Sequence, residues 1–147
     1  MDPLRVAELE RRLGYRFRDS LLLERALTHA SYANEHPPAA DHTLLALLGD
    51  AALALVVADH LIAEDPSAPV GVLTSRRAEL VAGARLARWA VDLDLGPLLR
   101  LGRGEDQSGG RARDSILTSA LEAVLGAIYS EGGLDALRSA VGRLAAW

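Results

Sequence analysis

The chain contains no cysteine and no lysine, and these two absences remove several chemistries at once. Without cysteine there is no disulfide framework, no thiolate metal site and no cysteine nucleophile. All 16 basic residues are arginine, which excludes a lysine nucleophile and a phosphate-loop lysine. A basic excess is missing too. Twenty acidic residues against 16 basic ones leave a net charge of −4, which argues against coating nucleic acid by overall charge and leaves room only for a local basic patch. No uninterrupted apolar run is long. The longest, Leu44 to Ala58, is broken by Asp50 and falls short of the roughly 20 residues a membrane span needs. Met1-Asp2-Pro3-Leu4-Arg5 leads straight into an amphipathic pattern with no signal peptide, so the expectation is a cytoplasmic protein with no membrane partner.

What is present is a core-forming chain. At 147 residues, 50% hydrophobic and 24% charged, it suits a single domain over residues 1–147. Almost every segment has helical period. Val6, Leu9 and Leu13 repeat at three and four, with Gly14 as a stop. Asp19-Ser20 caps a second helix through Leu27, and Asn34 to Ala40, with Pro37-Pro38, reads as a loop. The spacing then predicts a long helix from about Asp41 to Ala63, apolar nearly all round and therefore the buried central helix. A helix from Pro69 to Val81, another over Ala84–Leu93, a loop from Gly96 to Gly110, a helix over Arg113–Tyr129, a break at Gly132-Gly133 and a last helix over Leu134–Ala146 complete the chain. No alternating strand pattern occurs, so the fold class is all-α.

Two ionisable residues stand alone in apolar helices, Asp50 and Glu122. A carboxylate buried in such a place costs several kcal/mol unless it is paired, hydrogen-bonded or bound to a cation. Each is therefore either a structural acceptor or part of a metal or catalytic site. Two such groups on two buried helices can face one another, and without a cation at least one pKa should rise. Ser119, Thr43 or a nearby arginine are the candidate partners that would hold them. A magnesium site would want further carboxylates one turn away, but those positions hold Ala46, Leu47, Thr118 and Ser119. His29, His36, His42 and His60 are scattered; His36 and His42 flank the proline loop without a third zinc ligand. Ser31 near His29 lacks the acid and the nucleophile elbow of a triad. The window from Arg100 to Arg113 is the most basic, and Arg100, Arg103, Arg111 and Arg113 are candidate phosphate contacts in a flexible surface loop.

From Leu9 to Leu137 the sequence resembles the ribonuclease III catalytic domain. Leu13-Gly14-Tyr15-Arg16-Phe17, the run from Leu21 to Glu35, Leu48-Gly49-Asp50-Ala51, the glycine segment from Leu99 to Gly110, and Arg113-Asp114-Ser115-Ile116-Leu117 with Ala120-Leu121-Glu122-Ala123 and Gly126-Ala127-Ile128-Tyr129 carry the likeness. The resemblance implies an all-helical endonuclease domain that acts as a two-fold dimer on double-stranded RNA with magnesium. It also implies that the aromatic residue before Leu-Gly-Asp fills a socket in the other subunit; that position here is Leu47.

The departures fall on the acids. The family's Glu-Arg-Leu-Glu-Phe-Leu-Gly-Asp is here Thr43-Leu44-Leu45-Ala46-Leu47-Leu48-Gly49-Asp50, and its Asp-Ala-Leu-Glu is Ser119-Ala120-Leu121-Glu122. The family's Glu-Gly-Asp/Glu-Leu-Ser is Val70-Gly71-Val72-Leu73-Thr74. Of the four direct metal ligands that the resemblance implies, Asp50 and Glu122 remain, while Ala46 and Ser119 replace the others. The expectation is therefore a degenerate site with no cofactor, and a non-catalytic dimeric domain that docks structured RNA or a ribonucleoprotein. The alternatives are magnesium-dependent cleavage, residual or completed by a partner, and a protein-interaction module that has lost RNA.

Overall fold

The computed structural model describes residues 1–147. Helix α1 (Pro3–Leu13) starts three residues before the apolar period does, because Asp2 caps the Leu4 N–H at 2.9 Å and Pro3 takes the first helical position. It ends at Gly14, whose φ of 66° is the left-handed stop. Asp19 caps α2 (Ser20–Ala26) in the same way. Helix α3 (Ala30–Glu35) then fills part of what reads as connection in the sequence. It is too short to show a period and buries no residue fully, which is why the pattern misses it. The central helix α4 (Thr43–Glu64) begins two residues late, since the Asp41 carboxylate caps the Thr43 N–H at 2.8 Å.

Helices α5 (Val70–Leu80) and α6 (Gly83–Asp92) follow, then a 3-10 turn at Gly96–Leu98, the short α7 (Arg103–Gln107) and a second 3-10 turn at Gly110–Ala112. The glycine segment is thus more ordered than a loop. Helix α8 (Asp114–Ala145) closes the chain and is kinked at Gly133, whose φ of 82° and ψ of −175° leave helical geometry where the sequence places its break. There are no strands, only an isolated bridge between Thr28 and Arg100.

The core is one cluster of 31 buried residues drawn mainly from α4, α6 and α8, with α1 and α2 laid over it. Helix α4 enters it on one face only, through Leu45, Gly49, Ala52, Leu53, Val56, Val57 and Leu61. The opposite face repeats at three and four as well, and it is open: Leu44 is 66% exposed, Leu47 69%, Leu55 55% and Ile62 56%. The all-round apolar pattern is therefore two stripes, of which one meets the core and one meets nothing in this chain. At 22 residues α4 also has the length and apolarity of a membrane span, more than the broken apolar run suggests, yet its first stripe is core packing against α8. Beside it α5 has no buried residue, and Val70 is 80% exposed.

Candidate functional site

The site is built where α4 crosses α8. A Cβ on Gly49 would lie 1.7 Å from the Glu122 carbonyl oxygen, and one on Gly126 would lie 2.1 Å from the Leu45 carbonyl oxygen. The two backbones touch there, and only glycine admits the contact. Because Asp50 follows Gly49 directly and the Glu122 carbonyl rests on it, the crossing sets the two solitary carboxyl groups side by side. Partial burial, then the hydrogen bond with Asp50, then the Asp50 charge push the Glu122 carboxyl up to about 7. The rise expected from two facing acids is present.

The expected partners are not. Neither Ser119 nor Thr43 donates to either carboxyl, and no arginine forms an ion pair with them. The neighbouring Thr118 hydroxyl turns away and donates to the Gly83 carbonyl at 3.0 Å, tying the start of α6 to α8. Thr43 is exposed and its N–H is taken by Asp41. Ala46 packs half-buried against the core, and Val70 and Val72 lie exposed on the first turn of α5. Nowhere do three or more His, Asp or Glu side chains converge as a metal-binding group.

This uncompensated pair makes a pH prediction. Because the native carboxyl of Glu122 binds its proton more tightly than an unfolded glutamate, its contribution to stability is greatest below the unfolded pKa of 4.5 and is lost as pH rises through about 7. Glu122→Gln keeps the hydrogen bond to Asp50 and removes the repulsion. It should stabilise the domain by about 1–2 kcal/mol at pH 8, allowing for solvent screening at the exposed Asp50, and by almost nothing at pH 4.5. Thermal unfolding of both proteins across pH 4.5–8 reads this; a gap that does not widen with pH would contradict it.

The basic window is largely tied up within the chain. Arg100 pairs with Glu24 and lies 4.2 Å over the Tyr32 ring. Arg111 pairs with Asp106 at 2.8 Å and donates to the Gly96 and Leu99 carbonyls. Arg113 pairs with Glu105 and donates to the Ser108 carbonyl. Only the Arg103 side chain has neither an ion pair nor a hydrogen bond, its backbone N–H being held by Glu35. The four arginines therefore do not form one open cationic surface.

Nor do the histidines meet as the sequence suggests. His42 stands edge-on to His29, with ring centres 5.8 Å apart, rather than to His36. His29 Nδ1 and the Ser31 hydroxyl are 2.8 Å apart, but that hydroxyl accepts the Gly102 N–H, so the pair clasps α3 to the glycine segment and is no triad. The sequence reading missed the Gly49–Gly126 contact. Its signal was available: two glycines inside apolar helices, each of which costs about 1 kcal/mol against alanine unless something needs it.

Residues 19–146 match the ribonuclease-III-like family. The chain belongs to that family. It is 50% identical over 136 residues to ribonuclease 3 of Symbiobacterium thermophilum, an alignment covering 92% of this chain and 57% of that protein. It is 48% identical to ribonuclease 3 of Streptomyces coelicolor, covering 92% of this chain and 49% of that one. The chain thus spans about half the length of these curated relatives. A solved nuclease domain of ribonuclease III from Campylobacter jejuni superposes with a TM-score of 0.88 at 37% identity, covering 95% of this chain and 94% of that one. A second structure of that domain gives 0.85 at 36% identity, covering 98% of this chain and 94% of its own. The ribonuclease-III-like fold is therefore kept over nearly the whole chain.

Proposed function

We propose that this domain docks duplex RNA as a two-fold homodimer and does not cut it unaided. The observation that carries the reading is the count of acids at the crossing. Asp50 and Glu122 stand there alone, with Ala46 and Ser119 where the resemblance implies two further carboxylates. Magnesium sheds water reluctantly and demands near-octahedral oxygen geometry, so two adjacent acids that repel each other do not make a fitting site. Hydrolysis of this class needs the cation to generate the nucleophile and shield the phosphate.

The dimer reading rests on the open stripe of α4. Leu44, Leu47, Leu48, Leu55 and Ile62 form a continuous apolar row with α5 beside it, and such a row needs cover. A solved relative from Campylobacter jejuni has a region involved in dimer formation. Burying each of these side chains is worth about 1.5–3 kcal/mol, enough together to hold two copies. Leu47→Asp should therefore convert a dimer into a monomer in light scattering at micromolar protein. A wild-type monomer under those conditions would contradict the reading.

RNA docking is tested by a gel shift of a perfect duplex as salt is raised. Of the four candidate arginines only Arg103 is free, so binding through this segment should be weak and fall with a shallow slope, about −0.9 per phosphate neutralised. No shift even at low salt would favour the protein-interaction module. Partner-completed cleavage keeps one supporting observation, the retention of Asp50 and Glu122 face to face. It would show as cutting only in mixtures with an intact ribonuclease III.

A further inference from the structure

Helix α3 is capped by an imidazole. His29 Nδ1 accepts the Ser31 N–H at 3.1 Å, as the Asp2 and Asp19 carboxylates do at α1 and α2, but with a group that titrates near neutrality. A nitrogen that accepts carries no proton, so the ring is neutral with its hydrogen on Nε2. The same Nδ1 lies 2.8 Å from the Ser31 hydroxyl, which donates to it and accepts the Gly102 N–H at 2.8 Å. Gly102 is pressed against α3 at this point: a Cβ on it would lie 2.7 Å from the Ser31 carbonyl oxygen. One nitrogen of His29 thus orders both the first turn of α3 and its contact with the glycine segment.

The surroundings disfavour a second proton on the ring. His42 stands edge-on to it, only 6% exposed, and its own Nδ1 has no hydrogen-bond partner. Burial lowers His29 below the ordinary 6.5; the Asp41 carboxylate opposes this, and Arg113 adds to it. Burial and then the His29 charge lower His42 too, against Asp41 and the Ala26 carbonyl. The other charges on the surrounding elements are engaged. Arg25 of α2 donates to the Asp41 carbonyl, Glu24 of α2 pairs with Arg100, and Glu105 of α7 pairs with Arg113. At the far end of α3, Glu35 accepts the Arg103 N–H and His36 stacks on Tyr32.

Protonation reverses the role of Nδ1. An imidazolium points a proton at the Ser31 N–H, so the cap is lost, and the Ser31 hydroxyl loses the acceptor that aims it. The disturbance is confined, because α3 gives no residue to the core cluster. With its native pKa depressed, His29 contributes stability that is fully present above its unfolded value of 6.5 and is lost as pH falls through the native value. We infer that His29, Ser31 and Gly102 form an acid-released latch, in which a proton on His29 Nδ1 parts the first turn of α3 from Gly102 while the helical core stays folded. The latch is independent of RNA docking.

The test is amide hydrogen exchange of the ¹⁵N-labelled full chain at about pH 7.5 and about pH 5, expressed as protection relative to an unstructured chain so that the intrinsic pH dependence cancels. Protection at Ser31 and Gly102 should fall at least about threefold in acid, while Leu121 and Val124 in the core of α8 stay protected. His29→Asn offers an oxygen to the same N–H and takes up no proton, so it should hold protection at both amides constant within about twofold. His29→Ala has no cap and should leave Ser31 poorly protected at either pH. The inference is overturned if protection at Ser31 and Gly102 does not change with pH, or if His29→Asn loses it as the wild type does. It is equally overturned if the core amides lose protection in parallel, or if His29→Ala matches the wild type at the higher pH.

Discussion

Replacing Gly49 with alanine is expected to cost at least about 4 kcal/mol, a large share of the 5–15 kcal/mol that holds a typical domain together. The added Cβ would sit 1.7 Å from the Glu122 carbonyl oxygen, and that atom belongs to the backbone of a core helix. No rotamer change relieves such a contact. Helices α4 and α8 would have to separate along the centre of the core, losing packing on both sides of the crossing. The melting temperature should fall by more than about 10 °C, or the protein should fail to fold. Gly71→Ala is the control. It lies in exposed α5 with nothing within 4 Å of its added Cβ, and should stabilise by about 0.5–1 kcal/mol through helix propensity alone. Circular dichroism melts of the two variants decide the matter; similar small effects would mean that the crossing is looser than described.

The second large effect is a gain. Ala46→Glu with Ser119→Asp restores carboxylates one turn before Asp50 on α4 and one turn before Glu122 on α8, on helices whose crossing glycines are intact. Four acids without a cation repel, so the double variant should melt below its parent in chelator. Millimolar magnesium should then raise its melting temperature by several degrees and leave the parent unmoved, since a ligand stabilises only the state that binds it. Cleavage of duplex RNA should appear in the double variant and in neither single one. If magnesium binds and no cleavage follows, Val70→Glu supplies the acid that the α5 segment lacks. A parent stabilised by magnesium as strongly as the double variant would refute the reading.

Much of this site was legible in the sequence because a lone carboxylate in an apolar helix is a local anomaly. Asp50 and Glu122 announce themselves without any knowledge of the fold, and their mutual effect on protonation follows from charge alone. Their partners do not. Whether Ser119 or Thr43 turns toward the pair depends on rotamers and capping, and at Thr43 it is Asp41 that takes the N–H. The same limit applies to the arginines. Composition marks Arg100, Arg111 and Arg113 as basic, but which of them keeps a free guanidinium depends on acids such as Glu24, which is distant in sequence from Arg100.

Periodicity located the long helices and their glycine stops, and it missed α3 and α7, which are too short to complete a hydrophobic repeat. It also could not divide the apolar circumference of α4. Leu53, fully buried, and Leu55, 55% exposed, look alike in hydropathy, and only the placement of α8 tells them apart. What covers the second stripe is a question about another molecule, which no pattern within one chain encodes.

The measurement that tests the central claim most directly is cleavage by the unmodified protein. A perfect RNA duplex is incubated with an excess of protein in about 5 mM magnesium, enough to fill any working site of this class, and followed on a denaturing gel. With Ala46 and Ser119 at the crossing, no product should form beyond the protein-free control. Cutting that depends on both protein and magnesium, and that is lost in Asp50→Asn, would show that two acids suffice and would contradict the account.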